Sequence, residues 1–188
     1  MDKKQDILEK IWSELKDSLI ISGHPFHIFS LSTINNNFPD SRNVVLRSIN
    51  KDKSYITFHT DKRSNKIIQI KDNNNVCCLF YDKTNKIQLK IYGKISIVED
   101  KQIIFDTWSK SKDMSKVCYL NKFSPGTPMK DSKEYILERD NINLNEGIKN
   151  FCILKINISI IDWLNLNHKG HERLLIDIIN NKKEWIAP

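Results

Sequence analysis

No stretch of this chain is apolar for long enough to span a bilayer, and Met1-Asp2-Lys3-Lys4-Gln5-Asp6 opens a charged segment without a signal-peptide core. Those absences predict a cytoplasmic protein that crosses no membrane. Cysteine is sparse, and Cys77, Cys78, Cys118 and Cys152 lack the paired spacing of a zinc site. Cys77 and Cys78 sit in a strand-like apolar run, where neighbours point to opposite faces and are poorly placed to bond each other. Free, mostly buried thiols and no metal centre are expected. There is also no dense basic block: 30 Lys+Arg against 23 Asp+Glu give a formal charge of +7, but the lysines are interleaved with acids. A basic protein can touch nucleic acid, yet this interleaving favours a solvated surface with one anionic ligand. No repeat, linker or low-complexity segment divides the chain, so residues 1–188 read as a single domain with one core.

What is present is a helix followed by strands. Ile7, Leu8, Ile11, Trp12, Leu15, Leu19 and Ile20 recur at helical spacing, predicting an amphipathic helix over residues 1–22, closed by Gly23 and Pro25. Runs rich in β-branched and aromatic residues follow at 26–34, 43–49, 54–59, 76–81 and 88–98, which with short turns imply an antiparallel meander. Two helices interrupt it. One spans 64–70, with Ser64 as its cap and Ile67, Ile68 and Ile70 near one side; the other spans 101–110, with Ile104, Phe105 and Trp108 on one face. Residues 111–131 show no periodicity and carry Ser124-Pro125-Gly126-Thr127-Pro128, so they read as an irregular loop. A short helix over 132–139, strands at 151–164 and 174–179, and a hairpin turn at Asn180-Asn181 into a last strand at Glu184-Trp185-Ile186 complete the pattern. Strands outnumber helices, so a small closed barrel with helices outside is the economical architecture.

The chemistry concentrates between Arg42 and Lys66. Arg42-Asn43-Val44-Val45-Leu46-Arg47 brackets a β-branched strand with two guanidinium groups, and Thr60, Ser64 and Lys66 add two hydroxyls and an ammonium near a helix start. Such a set suits a phosphate. On a regular strand Arg42 and Arg47 face opposite sides unless the strand bends or bulges. Singly, each residue has a plainer reading: solvated strand ends for the arginines, a satisfied strand histidine for His59, a surface residue for Gln88, a core or interface aromatic for Trp163. His168, His171 and Glu172 fit no standard zinc spacing.

These residues resemble the pyridoxamine 5′-phosphate oxidase-like flavin-binding split barrels. The family's Arg-x-Val-x-Leu-Arg/Lys strand matches Arg42 to Arg47, and its Phe-Tyr-Thr-(four residues)-Arg/Lys-Lys matches Phe58-His59-Thr60 to Asn65-Lys66. Gln88, five residues before Gly93, matches Gln-(four residues)-Gly, and Trp163 stands ten residues before Arg173, as the family's tryptophan precedes its last arginine. Four spacings agree in order, from about Phe26 to Pro188.

The resemblance implies a mainly β fold, an antiparallel Greek-key-like split barrel with flanking helices, that binds FMN as cofactor. Arg42, Ser64 and Lys66 would approach the phosphate; Val45, Leu46, Arg47, His59, Thr60 and Gln88 would line the ribityl chain and ring, with Asn65 beside them. Trp163 and Arg173 would come from the second subunit of a homodimer, with FMN at the interface. The implied activity is two-electron oxidation or reduction of a small molecule stacked on the flavin. Arg47 and Arg173 are the candidates for favouring the anionic reduced ring. No residue is assigned a proton-transfer role.

Departures bear on the substrate. The vitamer oxidase grips its substrate's phosphate with Tyr, Arg and Ser at four-residue intervals, where this sequence has Asp106, Lys110 and Met114. Its Arg-Leu-His is here Lys169-Gly170-His171, which exchanges a bidentate guanidinium for a point-charge amine. An authentic pyridoxamine 5′-phosphate oxidase would therefore use Lys110, Lys169 and His171 for its substrate. The remaining alternative is a non-catalytic barrel binding flavin or nucleic acid, the latter disfavoured because the aromatics are scattered through core positions.

Overall fold

The computed structural model describes residues 2–134 and 143–188. Helix α1, Lys3–Asp17, starts at Asp2, whose carboxylate accepts from the Lys4 amide, and buries Ile11, Trp12 and Leu15. It ends five residues before the expected residue 22. Ser18 closes it by donating its hydroxyl to the Leu15 carbonyl at 2.7 Å, and turns carry the chain to Gly23, leaving Ile20 and Ile21 exposed. The two isoleucines continue the apolar spelling without facing the core.

Eight strands follow: β1 Ile28–Asn35, β2 Phe38–Asn50, β3 Tyr55–Asp61, β4 Asn75–Asp82, β5 Ile87–Ile97, β6 Phe151–Asn165, β7 Glu172–Asp177 and β8 Lys182–Ile186. All pairings are antiparallel in the order β3-β2-β1-β4-β5-β6-β7-β8, and β3 also pairs with β6, closing six strands into a barrel. The expected meander holds for β1 to β3 and again from β4 to β5, and breaks between β3 and β4. Helix α2, Asn65–Asp72, then carries the chain back so that β4 lies beside β1. Strand β2 also begins five residues before the predicted 43, because Asn36 and Asn37 both adopt positive φ, 48° and 67°, and make a two-residue hairpin turn.

Phe29, Leu31, Leu46, Phe58, Phe80, Leu89, Ile91 and Leu154 fill the barrel, with α1 packed against it. In α2, Ile67 and Ile70 join this core while Ile68 is exposed, since it lies one residue off the buried stripe. Helix α3, Lys101–Lys110, matches the prediction in extent, but only Trp108 is fully buried and Phe105 faces out. Trp108 forms a second cluster with Phe151 and Ile153. A five-residue helix, α4 Asp113–Val117, occupies part of the expected 111–131 loop, too short to leave a periodic trace. Ser132–Glu134 is one 3-10 turn; residues 135–139 of the helix expected there lie outside the described residues. All four cysteines are free, with Cys118 exposed.

Among the described residues no helix is long and apolar enough to cross a membrane, and no group of three or more His, Cys, Asp and Glu side chains could hold a metal.

Candidate functional site

Arg42 shares the inward-facing parity of Leu46 on β2, so its side chain turns to the end of the barrel. There its Nη1 donates to the Thr33 hydroxyl at 2.6 Å and its Nη2 to the Gln69 side-chain oxygen at 3.1 Å, while Asp40 pairs with it at 2.6 Å. Gln69 donates in turn to Asp40 at 2.8 Å. Thr33, Asp40 and Gln69 were not foreseen as part of the site. A polar residue flanked by the buried Ile67 and Ile70 of α2 is the one signal that marks Gln69.

Beside this network, Lys66 in the first turn of α2 donates to Thr60 and to Ser64, both at 3.0 Å. Ser64 occupies the N-cap position, but its hydroxyl donates to the Asp61 carbonyl at 2.7 Å and does not cap the helix. Lys66 has no carboxylate at ion-pair distance among the described residues. Burial lowers its pKa first, and the Arg42 charge lowers it further. Arg42, Thr60, Ser64 and Lys66 are thus drawn together as a desolvated, electropositive corner in which Lys66 makes no ion pair among the described residues and its charge is offset only in part, at longer range, by Asp61 and Asp40. Asn65 beside them is exposed.

Arg63, which the sequence reading did not single out, latches the neighbouring loop. Its guanidinium grips Asp61 through Nε at 3.0 Å and Nη2 at 2.6 Å and donates from Nη1 to the Asn121 carbonyl at 3.0 Å. The chain at Asn121 and Lys122 is therefore held against the turn that presents Ser64 and Lys66.

Arg47 is the extra residue of a β-bulge: Leu46 pairs with Phe58, but Ser48 pairs with Thr57. The bulge keeps Leu46 in the core and sends Arg47 and Ser48 to the outer face. Leu46 can meet a ligand only through its backbone, and half-buried Val45 pairs with Ile28. Arg47 and His59 line an outer groove of about 750 Å³, walled by Ile103, Tyr119 and Phe151 and containing Lys110. His59 and Thr60 are consecutive on β3 and point to opposite faces, so the Lys66 corner lies beside the end of this groove and not in it.

The His59 ring packs edge-on against Phe151 at 4.8 Å, and burial, aided by the Arg47 charge, holds its pKa down at about 4. His59 is therefore neutral at neutral pH. The unfolded chain takes up a proton between about pH 6.5 and 4 that the fold refuses, so this contribution is present above pH 6.5 and lost as pH falls through that window. Between pH 7 and 4.5 the wild type is expected to lose about 2 kcal/mol more stability than a His59→Phe variant, measured by urea denaturation. Parallel pH dependence in the two proteins would contradict this assignment.

Gln88, Trp163 and Arg173 lie elsewhere. Thr60 pairs with Cys152, whereas Gln88 and Arg173 both flank Leu164, twelve residues further along β6. That separation is on the order of 40 Å of extended strand. Gln88 thus groups with Arg173 and not with His59. Arg173 donates to Asp162 from Nε at 2.9 Å and Nη2 at 2.8 Å, and this pairing holds the Asp162 carboxyl below its ordinary range. The Trp163 indole is buried in the core cluster. Lys169 and His171 are exposed at this same end, away from Lys110.

Residues 9–99 match the family model described as pyridoxamine 5′-phosphate oxidase, FMN-binding domain. That span contains β1 to β5, with Arg42, Arg47, His59, Lys66 and Gln88. No curated protein matches the chain by sequence. Among solved structures, a pyridoxamine 5′-phosphate oxidase-related, FMN-binding protein from Nostoc punctiforme superposes with a TM-score of 0.76 at 22% identity, over 100% of this chain and 99% of that one. PhzG from Burkholderia lata, solved in complex with tetrahydrophenazine-1-carboxylic acid, gives 0.75 at 17% identity, over 100% and 97%. A protein related to general stress protein 26 from Clostridium acetobutylicum gives 0.62 at 15% identity, over 96% and 99%. At these identities the likeness establishes the fold.

Proposed function

We propose, from the premise that this chain is a member of the pyridoxamine 5′-phosphate oxidase-like FMN-binding split-barrel family, that it binds FMN across a twofold homodimer and serves as an oxidoreductase for a small molecule in the Arg47–His59 groove. The observation that carries the reading is Lys66: a desolvated ammonium, hydrogen-bonded to Thr60 and Ser64, next to Arg42 and short of an anion. A terminal phosphate supplies that anion, so the residues present fit the group.

When bound, FMN supplies hydride transfer at its ring. The chain's own side chains position it. Lys66, Ser64 and Thr60 hold the phosphate, and Arg42 adds a second positive charge already balanced in part by Asp40. Arg47 lines the groove and makes no ion pair among the described residues; facing the ring, it would favour the anionic reduced form. Tyr119, its pKa raised to about 12 chiefly by burial, stays a neutral hydroxyl in the groove. Distance supports the dimer: Gln88 and Arg173 stand too far along β6 to reach a ligand anchored at Lys66 of the same chain, so a part for them in the flavin site would require a second copy.

Subunit mixing tests this reading. Lys66→Ala and Arg173→Gln proteins, each deficient in FMN retention alone, are expected to recover about a quarter of the wild-type flavin when unfolded and refolded together in equal amounts, since half of the dimers are mixed and each mixed dimer holds one intact composite site of two. A monomer in solution, or no recovery on mixing, would overturn it.

A further inference from the structure

The groove is unusual in its charge. Its lining includes Arg47, Lys53, Lys110, Lys112 and Lys155 and not one Asp or Glu, although acids are interleaved with lysines through the rest of the chain. None of these five cations makes an ion pair among the described residues, whereas Lys3, Lys51, Arg63, Lys90, Arg173 and Lys182 all do. Fixed positive charges facing one cleft without counter-charges create a potential that selects anions.

The charges are also spread out. Tyr55, Thr57 and His59 alternate along the outer face of β3, so the Tyr55 end lies on the order of 13 Å from the His59 end. At that far end the Lys155 ammonium lies 5.6 Å over the Tyr55 ring, and Lys53 stands on the turn before it. A single small anion beside Arg47 and Lys110 leaves Lys53 and Lys155 unmatched.

We propose that Lys53, Tyr55 and Lys155 form a second anion subsite, and that the groove takes an elongated ligand with an aromatic portion and more than one phosphate or carboxylate. This rests on the flavin reading only for the identity of the His59 end as the reactive one. The subsite is defined by its own side chains, and the ligand's remote charges engage it while the aromatic part lies against Phe151 and Ile103.

Calorimetric titration of FMN-supplemented protein tests this, with flavin content measured in parallel. NADPH serves as the polyphosphate probe, folate triglutamate as the polycarboxylate probe, and pyridoxal 5′-phosphate as the short one. At least one long probe is expected to bind about tenfold tighter than the short one, and a Lys53→Gln/Lys155→Gln variant to abolish that advantage while pyridoxal 5′-phosphate and FMN binding stay unchanged. Which long probe prevails distinguishes phosphate from carboxylate recognition. Long probes that bind no tighter than the short one, or undiminished binding in the double variant, overturn the proposal. So does an oligodeoxythymidine that outcompetes both, which would make the groove a nucleic-acid surface. Lysine-dependent binding of a long probe to protein that takes up no FMN would sink the flavin reading and leave the subsite standing.

Discussion

Replacing Gly93 by alanine is expected to cost the fold roughly 3 kcal/mol or more, enough to deplete the folded protein at ordinary temperature. A Cβ at this position would lie 2.1 Å from the backbone oxygen of Asn157 and 3.1 Å from Cγ2 of Ile156. The obstacle is main chain of β6, which pairs at once with β5, β3 and β7 and has no room to withdraw. The register between β5 and β6 shifts at Tyr92/Gly93, and the absence of a side chain lets the two backbones approach at that point. Gly23→Ala offers the comparison: nothing stands within 4 Å of its Cβ, and only a positive φ of 76° opposes it. Circular dichroism through a urea series measures both, and a Gly93→Ala protein as stable as the wild type would show that β5 and β6 are not packed in this way.

Lys66→Ala is the second large effect, and it acts on binding. Loss of a charge-assisted partner from a dianion is worth about 1.5–3 kcal/mol, or roughly 10- to 150-fold in FMN affinity, read by quenching of flavin fluorescence. The ligand-free protein should not suffer. Its lysine is partly desolvated beside another cation, so removing it relieves an unfavourable charge, and the melting temperature of the empty variant should equal or exceed that of the wild type. Arg42→Ala behaves differently, because it also strips Asp40 and Gln69 of a partner and lowers stability together with affinity.

Much of this architecture is legible in the residues. Alternation marked all eight strands to within a few positions, except where β2 extends back to Phe38, because Pro39, Asp40, Ser41 and Arg42 spell an exposed edge and not a half-buried strand. Helical spacing located α1 and α3 but could not assign Ile20, Ile68 or Phe105, since apolar residues beside a buried stripe look the same in sequence whether or not a partner covers them. Return of β4 to β1 is a long-range pairing and leaves no local trace. At the site, Arg42 and Lys66 stand out by residue type, whereas the bulge that turns Arg47 outward is a mismatch between two strands. The placement of Gln88 with Arg173 depends on cross-strand register, and the acid-free groove gathers residues from segments scattered between Leu19 and Lys155.

Comparing FMN with riboflavin on the wild-type protein isolates the phosphate, the only chemical difference between the two ligands. Anchoring at the barrel end by Lys66, Ser64 and Thr60 predicts that FMN binds at least about tenfold more tightly than riboflavin, and that Lys66→Ala erases most of the gap by weakening FMN alone. Equal affinity for the two flavins in the wild type, or a gap that survives in Lys66→Ala, would contradict it.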